Sequence, residues 1–196
     1  MLDMGFKNGG CAMAIIKLKQ YSLSIGKLII ESAQIKDAEE IINFIKQVES
    51  ETNFLMREPG EFNMSIENER KFIENKLQND KEIFLIAKVN EKVIGTLGFT
   101  TIPYNRYKHR GQFGISIMKD FWNYGIGYRL IDTFINWADN MGIVKITLEV
   151  DSDNLRAIKL YKRFGFVQEG ILKYDKYIGN GIYKDSITMA RISNQI

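Results

Sequence analysis

The chain has 196 residues, the length of a single domain and enough to bury a hydrophobic core without disulfide or metal staples. Hydrophobic residues make up 45% and charged residues 26% of the sequence, which excludes disordered and fibrous classes. One cysteine, Cys11, and one histidine, His109, exclude a disulfide-stapled module, a zinc finger and a Ser–His or Cys–His hydrolase that lacks a second candidate base. The net charge of +3 is weak evidence for an anionic ligand and none for nucleic acid.

The first twenty residues differ from the rest of the chain. Their longest apolar run, residues 11–16, is shorter than the about 7–15 residues of a signal-peptide core and far shorter than a membrane span. We expect residues 1–20 to form an irregular N-terminal extension and residues 21–196 to form a single domain. A cytoplasmic protein is expected.

Regular patterning begins at residue 27. Residues 27–33 predict the first strand, and Asp37, with Glu40 three residues later, predicts the N-cap of a first helix. Ser65 is predicted to cap a second helix with an acidic first turn. The apolar runs 83–89 and 93–102, separated by a short polar segment, predict a β-hairpin.

The second half alternates strands and helices. The predicted elements are a strand at 112–118, a helix at 126–141, a strand at 145–150, a helix at 155–164 and two final strands around residues 179–181, the last at 185–190. Antiparallel hairpins mixed with strand–helix–strand units predict an α+β fold, a sheet covered by helices on both faces.

A glycine pair, Gly125 and Gly127, lies between the predicted strand 112–118 and the next helix. Backbone N–H groups can approach an anion closely there, and the helix N-terminus adds about half a positive charge. Taken alone, the two glycines are compatible with a loop that binds pyrophosphate and equally with an ordinary loop whose backbone needs positive φ. Leu130 stands where a full dinucleotide motif needs its third glycine, and no Walker A lysine follows, so Rossmann and kinase interpretations are disfavoured.

Asn154 and Tyr161 are seven residues apart around the predicted helix 155–164. They therefore lie within about 20° of one helix face, about 10 Å apart along the axis. An amide and a phenol would thus face one cleft. The structural alternatives are a helix N-cap for Asn154 and a half-buried amphipathic side chain for Tyr161.

Together these features resemble the GCN5-related N-acetyltransferases, and in particular the bacterial ribosomal-protein N-acetyltransferase branch and its amine-acetylating relatives. The matching residues are Gly125, Ile126, Gly127, Asn154, Ala157, Leu160, Tyr161, Gly165 and Phe166. The resemblance spans residues 27–192. It departs at Trp122, where the family usually has Gln or Arg three residues before the first glycine.

The resemblance implies a mixed α/β (α+β) fold whose V-splayed central sheet holds acetyl-CoA, the acetyl donor, between the parallel strands 113–118 and 145–150. The residues implied to contact the donor are Ile117 and Met118 on the strand edge, Tyr124, Gly125, Ile126, Gly127 and Tyr128 at the pyrophosphate, Asn154 at the pantetheine arm, and Lys159 and Arg163 at the phosphates. For Lys159 and Arg163 a solvated basic face is the alternative. No metal is implied.

The implied reaction is direct acetyl transfer, in a ternary complex, to a primary amine of a small molecule, a protein N-terminus or a lysine. Tyr161, with a reference pKa of about 10, stays protonated at neutral pH and suits the leaving thiolate. Glu149 occupies the position that the resembling branch uses as a base; orienting a water or pairing with a cation is its alternative role. A covalent route is not expected, because Cys11 is far in sequence from the donor segment.

Glu58 and Glu61, in the loop 54–62, are the expected acceptor-recognition residues, and a solvated loop is the alternative. The expected partners are acetyl-CoA and an amine acceptor, with no nucleic acid and no membrane, and a homodimer is compatible with the resemblance. The alternative function is a catalytically silent acyl-CoA-binding sensor or assembly module. The joint presence of Tyr161 and Glu149 favours the enzyme, and the low net charge argues against a tRNA substrate.

Overall fold

The computed structural model describes residues 15–193, which contain eight strands and four α-helices. In chain order these are β1 (Lys19–Leu23), β2 (Gly26–Ser32), α1 (Ala38–Glu51), α2 (Ile66–Gln78), β3 (Ile83–Val89), β4 (Lys92–Thr101), β5 (Arg110–Ile117), α3 (Ile126–Asn140), β6 (Lys145–Asp151), α4 (Leu155–Arg163), β7 (Val167–Tyr177) and β8 (Tyr183–Ile192). Short 3₁₀ turns precede α1 (Ile35–Asp37) and follow β5 (Lys119–Phe121).

All eight strands form one sheet in the order β1-β2-β3-β4-β5-β6-β8-β7. Every neighbouring pair is antiparallel except β5 and β6, which run parallel. The parallel pair is joined by α3, as a parallel connection requires a crossover. The predicted mixed sheet of an α+β fold is therefore confirmed.

Helices cover both faces of the sheet. Phe99 on β4 contacts Phe134 of α3, with ring centroids 5.1 Å apart, whereas Phe84 on β3 contacts Phe72 of α2 at 5.5 Å. Phe84 pairs with Gly98, the residue next to Phe99, so the two rings leave the sheet on opposite sides. α2 and α3 consequently cover opposite faces.

The parallel pair separates soon after it begins. β5 and β6 pair only from Arg110–Lys145 to Gln112–Thr147, although β5 continues to Ile117 and β6 to Asp151. This is the V-shaped opening that the family resemblance implied. It leaves one edge of β5 without a strand partner beyond Gln112.

One strand was not predicted, and one predicted cap forms without its side chain. β1 was missed because it is short and alternates between exposed and half-buried residues, which gives little hydrophobic contrast. Asp37 is the N-cap residue of α1, as predicted, but its side chain does not cap the helix: its Oδ2 accepts the N–H of Gln34 at 2.8 Å, and its Oδ1 accepts a hydrogen bond from Lys88 Nζ at 2.9 Å. The cap at Ser65 is confirmed, since its hydroxyl accepts the N–H of Asn68 at 3.2 Å.

Candidate active site

A cleft of about 370 Å³ opens where β5 and β6 separate. Four segments form its walls: the end of α1 with the following loop, the free edge of β5, the loop that enters α3, and one face of α4. The lining residues are Val48, Thr52, Phe54, Leu55, Ile115, Ser116, Ile117, Phe121, Trp122, Asn123, Gly125, Ile126, Gly127, Tyr128, Asn154, Arg156, Ala157, Lys159, Leu160, Tyr161 and Arg163.

The N-terminus of α3 presents uncapped backbone donors to this cleft. Gly125 is its N-cap residue, with φ +74°, and no side chain caps the helix. The first N–H groups of a helix lack intrahelical acceptors, so they are available to an anion. Gly127 packs closely between the walls of the cleft, since a Cβ there would lie 3.2 Å from side-chain atoms of both Ile117 and Leu160, which is closer than ordinary van der Waals contact. Tyr124 lies beside the cleft but does not line it.

The free edge of β5 supplies a second set of backbone groups. Met118 donates its N–H to the carbonyl of Ile94 on β4 at 3.0 Å. Because backbone groups alternate in direction along a strand, the N–H and C=O groups of Ile117 and Ile115 point to the other side, into the gap. Of the two predicted edge residues, Ile117 therefore lines the cleft, and Met118 is buried with its N–H turned away.

Asn154 and Tyr161 both line the cleft from α4. Asn154 also caps the helix, because its Oδ1 accepts the N–H of Ala157 at 3.2 Å, and this bond leaves Nδ2 as a donor. The Tyr161 ring packs edge-on against Phe113, with centroids 5.8 Å apart, and is 7% exposed. Burial raises the pKa of Tyr161 to about 12, so its hydroxyl is a donor throughout the neutral range.

Three basic side chains line the cleft along one side of α4: the predicted Lys159 and Arg163, and also Arg156. The guanidinium of Arg163 lies over the Tyr128 ring at 5.0 Å, and that of Arg156 lies over the Trp122 ring at 3.6 Å. Arg156 was missed in the sequence, although its spacing of three and seven residues from the other two places it on the same helix face.

Glu149 does not line the cleft: it is exposed on β6, on the opposite face of the sheet from Tyr161. Strand pairing places Gln112 beside Thr147, so Thr147 and Glu149 share one face while Phe113 and the Tyr161 ring lie on the other. The two predicted catalytic residues thus flank the splayed strands from opposite sides.

The loop between α1 and α2 closes one end of the cleft with Phe54 and Leu55. Glu58 and Glu61 are exposed farther along this loop and do not line the cleft, and the Glu61 carboxylate accepts the N–H of Glu58 at 2.9 Å. Their predicted role in acceptor recognition stays a prediction. Phe54 also contacts β8, since Lys184 Nζ lies 5.1 Å from its ring centroid.

Other candidate chemistry lies away from this site or outside the described residues. His109 precedes the paired end of β5, about 26 Å along the strand from Ile117, and its carbonyl accepts the N–H of Val144. Cys11 falls outside residues 15–193. Within that range, no group of three or more His, Cys, Asp or Glu side chains could hold a metal ion. None of the helices described is long and apolar enough to cross a membrane.

Comparison with known proteins identifies relatives of the chain. Residues 45–166 match the sequence profile of the Acetyltransferase (GNAT) family. The L-amino acid N-acetyltransferase AaaT of Escherichia coli (strain K12) is 36% identical over 110 residues, which are 55% of this chain and 67% of that protein.

Solved structures share the fold over most of this chain. An acetyltransferase of the GNAT family from Streptococcus pneumoniae has a TM-score of 0.82 at 32% identity, with 85% of this chain and 99% of that chain covered. The fold also matches that of yncA, a putative acetyltransferase from Salmonella typhimurium solved with its cofactor acetyl-CoA, with a TM-score of 0.75 at 16% identity and coverage of 86% and 95%.

Proposed function

This chain belongs to the acetyltransferase (GNAT) family, and from that premise we propose that it transfers the acetyl group of acetyl-CoA to a primary amine by direct attack in a ternary complex. Family membership makes it an acetyl-CoA-dependent acyltransferase, as the sequence predicted. Family membership therefore disfavours the alternative of a catalytically silent binding module.

The observation that supports this proposal most directly is the open edge of β5 beside a buried, protonated phenol. The edge groups of Ile115 and Ile117 point into the gap between β5 and β6, and Tyr161 lines the same cleft from α4. An extended pantetheine arm can pair with a strand edge through its two amides, which directs its thioester along the strand. Uncapped N–H groups at the start of α3 would bind the pyrophosphate.

The nucleophile must be a neutral amine, because an ammonium has no lone pair. Glu149, with water between, would accept the proton of the acceptor ammonium on the face of the sheet away from Tyr161. The amine nitrogen would then form a bond to the acetyl carbon and, in the tetrahedral intermediate, lose a second proton to solvent water. The C–S bond would break as the thiolate leaves. The N–H of Ile117 would stabilise the oxyanion of the tetrahedral intermediate.

Tyr161 would act on the leaving sulfur. A thiol has a reference pKa of about 8.5, whereas the pKa of Tyr161 is raised to about 12, so complete proton transfer from the phenol to a free thiolate is unfavourable. Its contribution is then a hydrogen bond to the developing thiolate, with the proton finally taken from solvent. Such a bond to a charged group is worth about 1.5–3 kcal/mol.

The acceptor classes to test first are small amines. The name of the Escherichia coli relative specifies L-amino acids, and that similarity supports amino acids as candidate acceptors here. Glu58 and Glu61 add negative charge on the loop between the helices, which would attract cationic acceptors such as polyamines.

The test is a panel of acceptors assayed by free-thiol release, with the acetylated product identified by mass. The panel contains L-amino acids, polyamines, aminoglycosides and N-terminal peptides of ribosomal proteins, with acetyl-CoA alone as the control for hydrolysis. A ternary complex predicts intersecting lines in double-reciprocal plots when both substrates are varied, and unchanged turnover in Cys11→Ser. Parallel lines, or turnover lost in Cys11→Ser, would show a covalent route. Acetyl-CoA that raises the melting temperature without any turnover would favour the silent module.

A further inference from the structure

The loop that enters α3 and the helix α4 are joined across the cleft by a guanidinium stacked on an indole. The Arg156 Cζ lies 3.6 Å from the centroid of the Trp122 ring. The ring is fixed from its other end, because Trp122 Nε1 donates to the carbonyl of Ile117 at 2.8 Å. Both side chains line the donor cleft.

Arg156 is a cation without an anionic partner in the described part of the chain. The residue as a whole is exposed, and partial desolvation at the cleft wall lowers the pKa of its guanidinium. A guanidinium stacked on a ring keeps its edge N–H groups free, since stacking uses only its face. The geometry thus presents fork-like donors, which match phosphate oxygens, on one wall of the cleft.

The position of Arg156 along the cleft agrees with a role in binding a phosphate group. Arg156 and Arg163 are seven residues apart on α4, about 10 Å along its axis. Arg156 contacts Trp122 in the loop before α3, and Arg163 contacts Tyr128 in the first turn of α3. The two arginines therefore contact residues on either side of Gly125, the N-cap of α3.

We propose that Arg156 binds the pyrophosphate of acetyl-CoA and that Trp122 positions it. Tryptophan stands at position 122 where the resembling family usually has Gln or Arg, and Arg156 reaches this same place from the opposite wall. The interaction that residue 122 does not make is supplied by α4. This inference rests on acetyl-CoA as the donor, and its test separates the two.

The first experiment measures binding by titration calorimetry, without turnover, using CoA, 3′-dephospho-CoA and pantetheine. Arg156→Ala should weaken CoA and 3′-dephospho-CoA equally, by about 10-fold, and leave pantetheine unchanged, since pantetheine has no phosphate. Arg70→Ala, which removes one exposed cation from α2, is the matched control and should bind CoA as the wild type does. In turnover assays, Arg156→Ala should raise KM for acetyl-CoA and leave kcat unchanged.

Three results would overturn the assignment. A loss confined to CoA would assign Arg156 to the 3′-phosphate, an equal loss for pantetheine would assign it to the shape of the cleft, and undiminished CoA binding would leave it no role. A wild-type protein that binds no CoA would instead contradict acetyl-CoA as the donor.

The second experiment moves the positive charge from position 156 to position 122. The double variant Trp122→Arg with Arg156→Ala returns the cation to the usual family position and should recover most of the affinity lost in Arg156→Ala alone. Trp122→Leu, which removes the stack and keeps Arg156, should weaken CoA by several-fold. If Trp122→Leu binds CoA as tightly as the wild type, the positioning role of Trp122 is wrong. If the double variant binds CoA no better than Arg156→Ala, a cation at position 122 does not reach the same phosphate as Arg156.

Discussion

Replacing Tyr161 with phenylalanine removes the hydroxyl group and keeps the ring. The ring contacts with Phe113 and Phe166, at centroid distances of 5.8 and 6.1 Å, do not involve the hydroxyl. The shape of the cleft should therefore persist in Tyr161→Phe, and affinity for CoA should change less than about twofold. What is lost is the donor to the leaving sulfur.

The expected kinetic effect follows from the size of that hydrogen bond. About 1.5–3 kcal/mol for a bond to a charged group corresponds to a fall in kcat of about 10- to 160-fold. Free-thiol release under saturating acetyl-CoA measures it, and Tyr104→Phe, at a tyrosine that is 68% exposed, is the matched control. An unchanged kcat in Tyr161→Phe would remove the phenol from the mechanism.

Tyr161→Phe should also change how the free energy of unfolding depends on pH, and this effect is measured without turnover. The pKa of Tyr161 is about 12 in the folded protein and about 10 in the unfolded chain, so above pH 10 only the unfolded state loses the proton. The contribution of the Tyr161 hydroxyl to the free energy of unfolding is therefore complete below pH 10 and is lost as the pH rises through 12. The loss is about 1 kcal/mol at pH 11 and about 3 kcal/mol in all.

Urea unfolding at pH 9 and pH 11 tests this shift. The free energy of unfolding of the wild type should fall by about 1 kcal/mol more than that of Tyr161→Phe between these two values. Parallel falls in both proteins would show that the Tyr161 hydroxyl is not desolvated in the fold, and would refute the burial argument.

Three further predictions concern other carboxylates and the cap of α4. Glu149→Gln should lower kcat by about 10²-fold, with Glu74→Gln on α2 as the exposed control; equal activities would exclude Glu149 as the base. Glu69 is 2% exposed with an unpaired Oε1, and burial raises its pKa, so Glu69→Gln should be more stable than the wild type at pH 7. That difference in stability should shrink as the pH falls toward 4, because the wild-type carboxyl is then protonated. Denaturant unfolding of both proteins at pH 7 and pH 4 measures it. A difference that is the same at both pH values would contradict a raised pKa for Glu69. Asn154→Ala should lose about 1 kcal/mol with the cap, whereas Asn154→Asp keeps an acceptor for Ala157 and should retain stability but raise KM for acetyl-CoA. An unchanged KM in Asn154→Asp would leave Asn154 a cap alone.

Elements whose causes are local were predicted well from the sequence. α3 was predicted at 126–141 and spans Ile126–Asn140, and α4 was predicted at 155–164 and spans Leu155–Arg163. Their glycine boundaries, caps and apolar stripes lie within a few residues of each other, where backbone preferences act. The residues that carry the family resemblance, and with it the expectation of acetyl-CoA as donor, lie in these same short segments.

Contacts between distant segments needed the tertiary structure. The carboxylate of Asp37 pairs with Lys88, a residue 51 positions away, and no pattern near Asp37 indicates it. The stack of Arg156 on Trp122 joins two elements whose separation in space depends on where β5 and β6 part. In both cases the partner is distant along the chain, so patterns near either residue do not indicate the contact.

The order of most elements, the glycine-flanked start of α3 and the helix face shared by Asn154 and Tyr161 can all be predicted from local sequence patterns. The folded chain was needed to show that Glu149 lies on the opposite face of the sheet from Tyr161, that Met118 turns its N–H away from the gap, and that Arg156 lines the cleft. The physical reason is that helix caps and turns depend on neighbours along the chain, whereas the direction of a strand edge depends on register with another strand.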